Sequence, residues 1–287
     1  MKENNKIKIG FFGTSEYSVI TLEALKKAGF TISFIITMPD RPQGRKMILT
    51  PPLTKIWGIE NNIPVLQPEN LKDNELIEKL KDYNCDLFIV IAYGKIIPDT
   101  ILNIPKSKSL NIHGSLLPKL RGSCPIETAI LNDEKKTGVT IIRMDNEMDH
   151  GPIVAMKEIN LDSRPVIAEV LGNEIVKTGS ELLISIIPDW INGKIIEKEQ
   201  DHSEASYTVK IKKDDGLINF NDNPYKNYLK ILAYHGWPSA FFFIEKDNKK
   251  IRVKITKASF KDNQLIIEKV IPEGKKEINF QDLNVLQ

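Results

Sequence analysis

The chain is poor in the residues that build disulfide frameworks and metal clusters. Its 287 residues include only two cysteines, Cys85 and Cys124, and four histidines. Without a Cys-x-x-Cys pair, neither a disulfide scaffold nor a cysteine-ligated zinc site can organise the fold, and both thiols are expected to be reduced. No apolar run approaches the ~20 residues that a helix needs to cross a bilayer. The opening Met1-Lys2-Glu3-Asn4-Asn5-Lys6 runs into an apolar stretch of only a few residues, unlike a secretory h-region or an Arg-rich transit peptide. A cytoplasmic protein without membrane contact is expected. A strong charge of one sign is also missing: the net charge is +2 and the pI about 8.3. That balance is too mild to identify a nucleic-acid partner by itself, and lysine is spread through the whole chain with asparagine and isoleucine.

What is present fits a globular protein of two domains. The hydrophobic share of 41% and charged share of 27% are ordinary for that class, and the length exceeds one typical domain. Residues 7–12 form a short apolar run ending at Gly13; Thr14-Ser15-Glu16 can cap a helix that turns Val19, Leu22 and Leu25 inward, and Gly29 stops it. The β-branched run 31–37 reads as a buried strand, so the chain begins β-α-β and points to a Rossmann-like α/β fold with a parallel sheet. Gly10 and Gly13 do not extend to Gly-x-Gly-x-x-Gly, and no phosphate-binding Gly-x-x-x-x-Gly-Lys-Ser/Thr occurs, so dinucleotide and NTP binding are unsupported. Pro39-Asp40-Arg41-Pro42-Gln43-Gly44-Arg45-Lys46 follows the second strand as an exposed, mobile loop rich in cations. Further elements are a short helix to Glu60, an amphipathic helix over 73–82, and a central strand over 86–92 that breaks at Tyr93-Gly94. The next strand, Ser109–His113, places its end beside Ala92-Tyr93-Gly94 at one edge of the sheet. A strand over 137–144 ends in an acidic loop, a helix over 165–187 closes the first domain, and the aperiodic polar stretch 190–206 reads as a linker.

Chemistry concentrates where the strand before Gly114 stops. Side chains alternate along a strand, so Asn111 and His113 project from the same side. A carboxamide N–H can hold a developing oxyanion, and an imidazole can move a proton near neutral pH, which suits addition to a carbonyl carbon. Taken alone, an Asn-x-His pair more often satisfies turn hydrogen bonds. A carboxylate from the loop 145–152 could reach the histidine; Asp149, nearest the Gly151-Pro152 break, is best placed, with Asp145 and Glu147 left open. His150, His202 and His235 have no ligand-like spacing and read as structural.

With Asn111-x-His113, Ser115-Leu116-Leu117-Pro118 and Asp149 in place, the chain resembles the folate-dependent formyltransferases. Phe12-Gly13-Thr14, Pro39-Asp40-Arg41-Pro42-x-Gly44-Arg45, Ala92-Tyr93-Gly94, Pro118-x-x-Arg121-Gly122 and Thr137-Gly138-Val139-Thr140 extend the resemblance over the N-terminal half. From Tyr207 onward, Ile218-Asn219-Phe220, Trp237-Pro238 and Pro272-Glu273-Gly274-Lys275-Lys276 continue it. The resemblance implies a catalytic domain over 1–189, a linker over 190–206, and a smaller OB-like β-barrel domain over 207–287. It implies 10-formyltetrahydrofolate as formyl donor and, as acceptor, the α-amine of methionine on initiator tRNA. Asn111, His113 and Asp149 would be the catalytic residues, with no metal. Ser115, Leu116, Leu117 and Pro118 would line the folate site, with Ala92, Tyr93 and Gly94 as a second wall. Arg41, Arg45 and Lys46 of the loop and Lys210, Lys212 and Lys213 at the start of the C-terminal domain would meet tRNA, and Lys250, Arg252 and Lys254 would share one strand face. A monomer is expected. The same three residues would serve any amine, so transfer to an amino-sugar nucleotide or glycinamide ribonucleotide is the alternative. The loop departs from the family by running on as Met47-Ile48-Leu49, shorter and more apolar, and the hairpin 260–269 is compact.

Overall fold

A computed structural model describes residues 4–44, 47–162, 165–246 and 248–286, with side chains through Leu283. In chain order the N-terminal part runs β1 (Lys8–Gly13), α1 (Glu16–Lys27), β2 (Thr31–Ile36), β3 (Arg41–Gln43), β4 (Ile48–Thr50), α2 (Leu53–Glu60), β5 (Val65–Leu66), α3 (Asn74–Asp82), β6 (Leu87–Ile91), α4 (Asp99–Leu102) and β7 (Ser109–His113). It continues with α5 (Pro125–Leu131), β8 (Lys136–Arg143), β9 (Ile153–Asn160) and α6 (Ala168–Ile191). The C-terminal part adds α7 (Pro224–Ala233), β10 (Phe241–Lys246), β11 (Lys249–Lys261), β12 (Gln264–Pro272) and β13 (Ile278–Asn279).

Seven strands form one sheet in the order β5-β2-β1-β6-β7-β8-β9. From β5 to β7 the pairs are parallel, whereas β8 runs antiparallel to β7. The chain builds outward from β1 to one side and then returns to build outward from β6 on the other. Between β1 and β6 the strand order therefore reverses, and the crevice at such a reversal lies outside the carboxyl ends of the strands. Thr14 marks this crevice, its hydroxyl donating to the Tyr93 carbonyl at 2.9 Å. One strand next to it, β7, delivers Asn111 and His113 to the same rim.

A cluster of aromatic rings packs on one face of the central strands. Phe12, Phe34 and Phe88 are fully buried, with ring centroids 5.3 Å apart for Phe12–Phe88 and 5.6 Å for Phe34–Phe88. Gly10 is required beneath them, because a Cβ there would lie 2.4 Å from the Phe34 ring and 2.6 Å from that of Phe88. On the other face, Gly179 of α6 approaches so closely that a Cβ would sit 2.7 Å from Val139 and 2.8 Å from Ile112.

Several elements depart from expectation. The cation-rich stretch after β2 is a short hairpin in which β3 pairs antiparallel with β4, and the Lys55–Asp40 ion pair at 2.8 Å holds its base. Arg45 and Lys46 lie outside the described residues. Strand β9 is not legible in the sequence: of its eight residues, Ala155 to Glu158 are at least partly exposed, and no apolar run betrays it. Helix α6 passes through Pro188 to Ile191, so the segment expected as a linker begins as helix. That segment also carries the Ile153–Lys198 bridge.

The chain divides into two compact units, Met1–Arg121 with Gly138–Ile159 and Asn173–Tyr207, and Gly122–Thr137 with Asn160–Gly172 and Thr208–Gln287. The second contains a four-stranded antiparallel sheet, β10-β11-β12-β13, where a barrel is expected. Its core is built on Ile218, Ile231, Phe242, Val253, Ile255 and Val270. The compact hairpin between β11 and β12 turns through Asp262 (φ 49°) and Asn263 (φ 58°), two residue types that tolerate the left-handed pair such a two-residue turn needs. Lys250, Arg252 and Lys254 alternate with the inward Ile251, Val253 and Ile255; Arg252 lies 3.8 Å over the Phe241 ring and Lys250 4.3 Å over that of Phe243. Both cysteines are free, and among the described residues no helix is long and apolar enough to cross a membrane.

If the phenylalanine layer sets the sheet, Phe88→Ala should lower unfolding free energy by about 3–5 kcal/mol in urea titrations. A loss under about 1 kcal/mol would show that the layer is not needed.

Candidate active site

Strand β7 pairs Asn111 with Val90 of β6 on one side and Ile142 of β8 on the other, so its carboxamide projects from a locked backbone. Alternation sends Leu110 and Ile112 to the opposite face and His113 to the same face as Asn111. His113 is buried, at 5% exposure, and its Nε2 lies 2.9 Å from the Leu120 carbonyl oxygen. A carbonyl only accepts, so Nε2 carries the proton, and Nδ1 is left to face Asp149 Oδ1 at 3.5 Å. Asn111 Nδ2 donates to that same oxygen at 3.4 Å. The three residues expected to act together are therefore brought together within one unit.

The loop carrying Asp149 is shaped to present it. Asp149 has φ 52°, in the left-handed region, and Gly151 has no space for a side chain, since a Cβ would lie 1.8 Å from the Arg143 carbonyl oxygen. Of the three acidic residues left open, Asp149 is the one that faces His113. Asp145 is engaged by His150 Nδ1 at 2.7 Å and by the Glu147 backbone N–H, and Glu147 is exposed.

After His113 the chain turns through Gly114 to Pro118, with the Leu117–Pro118 peptide cis. Thr140 of β8 pins this turn from both sides: its hydroxyl donates to the Ser115 carbonyl at 2.7 Å and accepts from the Leu117 N–H at 3.1 Å. Ser115 donates to the Lys119 carbonyl at 2.6 Å. Ser115 and Leu117 are buried by these contacts, whereas Leu116 and Pro118 are partly exposed. At the end of β6, Ala92 and Gly94 are exposed with φ 47° and 91°. Tyr93 instead points into the core, 5.8 Å from the Phe12 ring, and its hydroxyl has no hydrogen-bond partner among the described residues. Burial pushes the Tyr93 phenol up to about 12.

Arg41 is exposed on the hairpin, and Lys210, Lys212 and Lys213 are exposed in the second unit. Asp40, at the hairpin base, is held below the usual carboxylate range by hydrogen bonds from Lys55 and then Gln67.

Two residues beside the site are not anticipated by the sequence. Arg121 is buried at 2% exposure, and Gln200, in the aperiodic stretch, at 5%. Arg121 donates to Gln200 Oε1 from Nε at 3.2 Å and from a terminal nitrogen at 2.7 Å. That terminal nitrogen is also 2.8 Å from His202 Nδ1. His202 stacks on His150 with centroids 4.1 Å apart. A solvated cation and a buried one look alike in sequence, and nothing in the pattern distinguishes them.

Comparison with known proteins bears on this arrangement. The family described as Formyl transferase matches residues 6–187, and the one described as Formyl transferase, C-terminal domain, matches residues 210–264. A methionyl-tRNA formyltransferase of Thermodesulfovibrio yellowstonii is 42% identical over 84% of this chain and 78% of its own length. One of Dictyoglomus thermophilum is 37% identical over 96% of this chain and 95% of its own. Among solved structures, a methionyl-tRNA formyltransferase from Clostridium thermocellum superposes with a TM-score of 0.61, at 20% identity, over 95% of this chain and 99% of that one.

The unpartnered Tyr93 hydroxyl makes a definite forecast. Tyr93→Phe should leave stability at neutral pH unchanged or raise it by up to about 1 kcal/mol, because no hydrogen bond is lost. Its phenol is raised above the ordinary 10.0, so its contribution is complete below pH 10 and is lost as pH rises toward 12. Denaturation at pH 7 and pH 11 should thus show a smaller alkaline loss in Tyr93→Phe than in the parent, and equal losses would contradict the burial.

Proposed function

This chain belongs to the formyl transferase family, and from that premise we propose that it transfers a formyl group from 10-formyltetrahydrofolate to the α-amine of methionine carried by initiator tRNA. The observation that carries the chemistry is the single Asp149 oxygen facing both Asn111 Nδ2 at 3.4 Å and His113 Nδ1 at 3.5 Å. The methionine amine attacks the formyl carbon, forming a C–N bond and moving an electron pair onto the formyl oxygen. Asn111 Nδ2 donates to that oxygen as charge grows on it, and protonated His113, held between the Leu120 carbonyl and Asp149, places its positive charge beside it. Collapse breaks the bond between the formyl carbon and the folate nitrogen. The proton released by the amine passes to the departing folate nitrogen, with Asp149 and His113 as its carriers, directly or through water.

Position in the fold supports the donor site. The turn Ser115 to Pro118 and the exposed Ala92 and Gly94 flank the carboxyl ends of β7 and β6, next to the crevice where the strand order reverses. In this reading the partly exposed Leu116 and Pro118 line one side of the folate site, with Ser115 and the buried Leu117 bracing the turn. Tyr93 supplies a wall through its backbone and its packing.

The acceptor is assigned on the relatives' names and on the second unit. Lys210, Lys212 and Lys213 are exposed at its start and Arg41 is exposed on the hairpin, with Arg45 and Lys46 following it in sequence. We assign these cations to tRNA phosphates, residues 1–189 to catalysis and 207–287 to tRNA binding, in a monomer that works in the cytosol.

Purified protein with 10-formyltetrahydrofolate should formylate initiator Met-tRNA and leave free methionine and amino-sugar nucleotides untouched, as read on acid gels of charged tRNA. Unmodified Met-tRNA at high enzyme would exclude the assignment. His113→Ala should cut turnover by at least about 100-fold without unfolding the protein. tRNA binding should weaken steeply between low and moderate salt, whereas a flat response would mean that the cations are merely solvated.

A further inference from the structure

Asp149 has a left-handed φ of 52°, and from that conformation its carboxylate meets Asn111 and His113. The side chain that secures it is Gln200. Its Nε2 spends both hydrogens on this loop, donating to the Asp149 carbonyl at 2.9 Å and the Gly151 carbonyl at 2.7 Å. Its Oε1 accepts from Arg121 twice, at 3.2 and 2.7 Å. Because a guanidinium only donates and a carbonyl only accepts, the amide has one possible orientation. Arg121 is anchored in turn: its N–H donates to the Ser206 carbonyl at 2.8 Å, and its guanidinium reaches His202 Nδ1 at 2.8 Å and the Tyr207 hydroxyl at 3.3 Å. The residue before Arg121 is Leu120, whose carbonyl accepts the hydrogen bond from His113 Nε2. A closed circuit results, from His113 through Leu120, Arg121 and Gln200 to Asp149 and back to His113, entirely within one unit.

We propose that Gln200, oriented by Arg121, is a positioning residue that sets where the Asp149 carboxylate stands relative to His113 and Asn111. The proposal rests on the formyl-transfer reading for its kinetic consequence, but not for its geometry. Removing the amide N–H groups would free the loop to relax out of the left-handed conformation and carry the carboxylate away from Nδ1. No substrate contact is assigned to Gln200.

The test pairs Gln200→Met, which keeps length and loses the donors, with Asp149→Asn in a double-mutant cycle on the full chain. Gln200→Met should lower kcat by roughly 10- to 100-fold while KM for folate and for Met-tRNA stays within about twofold. The double variant should be no slower than Asp149→Asn alone, since the carboxylate is already gone. In the free protein, the change that Asp149→Asn causes in the His113 Nδ1 nitrogen resonance should shrink by more than about half in the Gln200→Met background. Losses that multiply, a normal kcat with only a lower Tm, or an undiminished resonance change would overturn the proposal. The resonance arm needs no turnover, so a protein that fails to formylate tRNA still decides it. Should Gln200→Met not fold, Gln200→Glu keeps the contact to Arg121 but has no N–H for the loop, and the same outcomes apply.

Discussion

One carboxylate oxygen organises the site. Asp149 Oδ1 lies within 3.5 Å of both the Asn111 amide and the His113 ring, and almost every local feature serves to keep it there. The antiparallel addition of β8 to β7 brings the acidic loop back to the strand that carries Asn111 and His113. Gly151 admits the Arg143 carbonyl where any Cβ would collide, which closes the loop tightly enough for Asp149 to face inward. The left-handed φ at Asp149 is a local cost offset by the hydrogen bonds around it. Thr140, on the same strand β8, fixes the turn that follows His113.

Much of this is legible from period and from punctuation. The two-residue alternation puts Asn111 and His113 on one side, and the break at Gly114 marks a strand end at the rim. The apolar run 86–92 signals the neighbouring strand, and its break places Ala92 to Gly94 beside them. The limits are physical too. Arg121 could be any basic turn residue until the fold surrounds it, because burial of a charge depends on partners distant in sequence, here Gln200, His202 and Tyr207. Gln200 sits in a stretch with no periodicity, since a residue that works through two backbone carbonyls needs no pattern around it. Strand β9 is hidden for a related reason: with four consecutive residues at least partly exposed it has no alternation to read, and it is held by its place next to β8. The hairpin β3–β4 is masked by its prolines and glycine, which signal a turn without saying that short strands flank it.

On the proposed function, chemistry and amine selection separate along the chain. Asn111, His113, Asp149, Arg121 and Gln200 all fall in the first compact unit, while Lys210, Lys212 and Lys213 fall in the second. Any amine that reaches the formyl carbon would meet the same donors, so the identity of the acceptor has to be read by surfaces other than the rim of β7. In the second unit Arg252 and Lys250 are tied to aromatic faces, which leaves the exposed lysines at its start as the freer charges.

The central claim is that Asn111, His113 and Asp149 act on one developing charge as a single device. Groups that do so lose most of their effect when any one is removed, so their losses do not multiply. The decisive measurement is the single-turnover rate of formyl transfer for the three alanine variants and for the triple variant, by rapid quench with enzyme in excess. The account predicts a triple variant within about tenfold of the slowest single variant. Losses that multiply across the three residues, or a folded single variant that transfers at the parent rate, would contradict it.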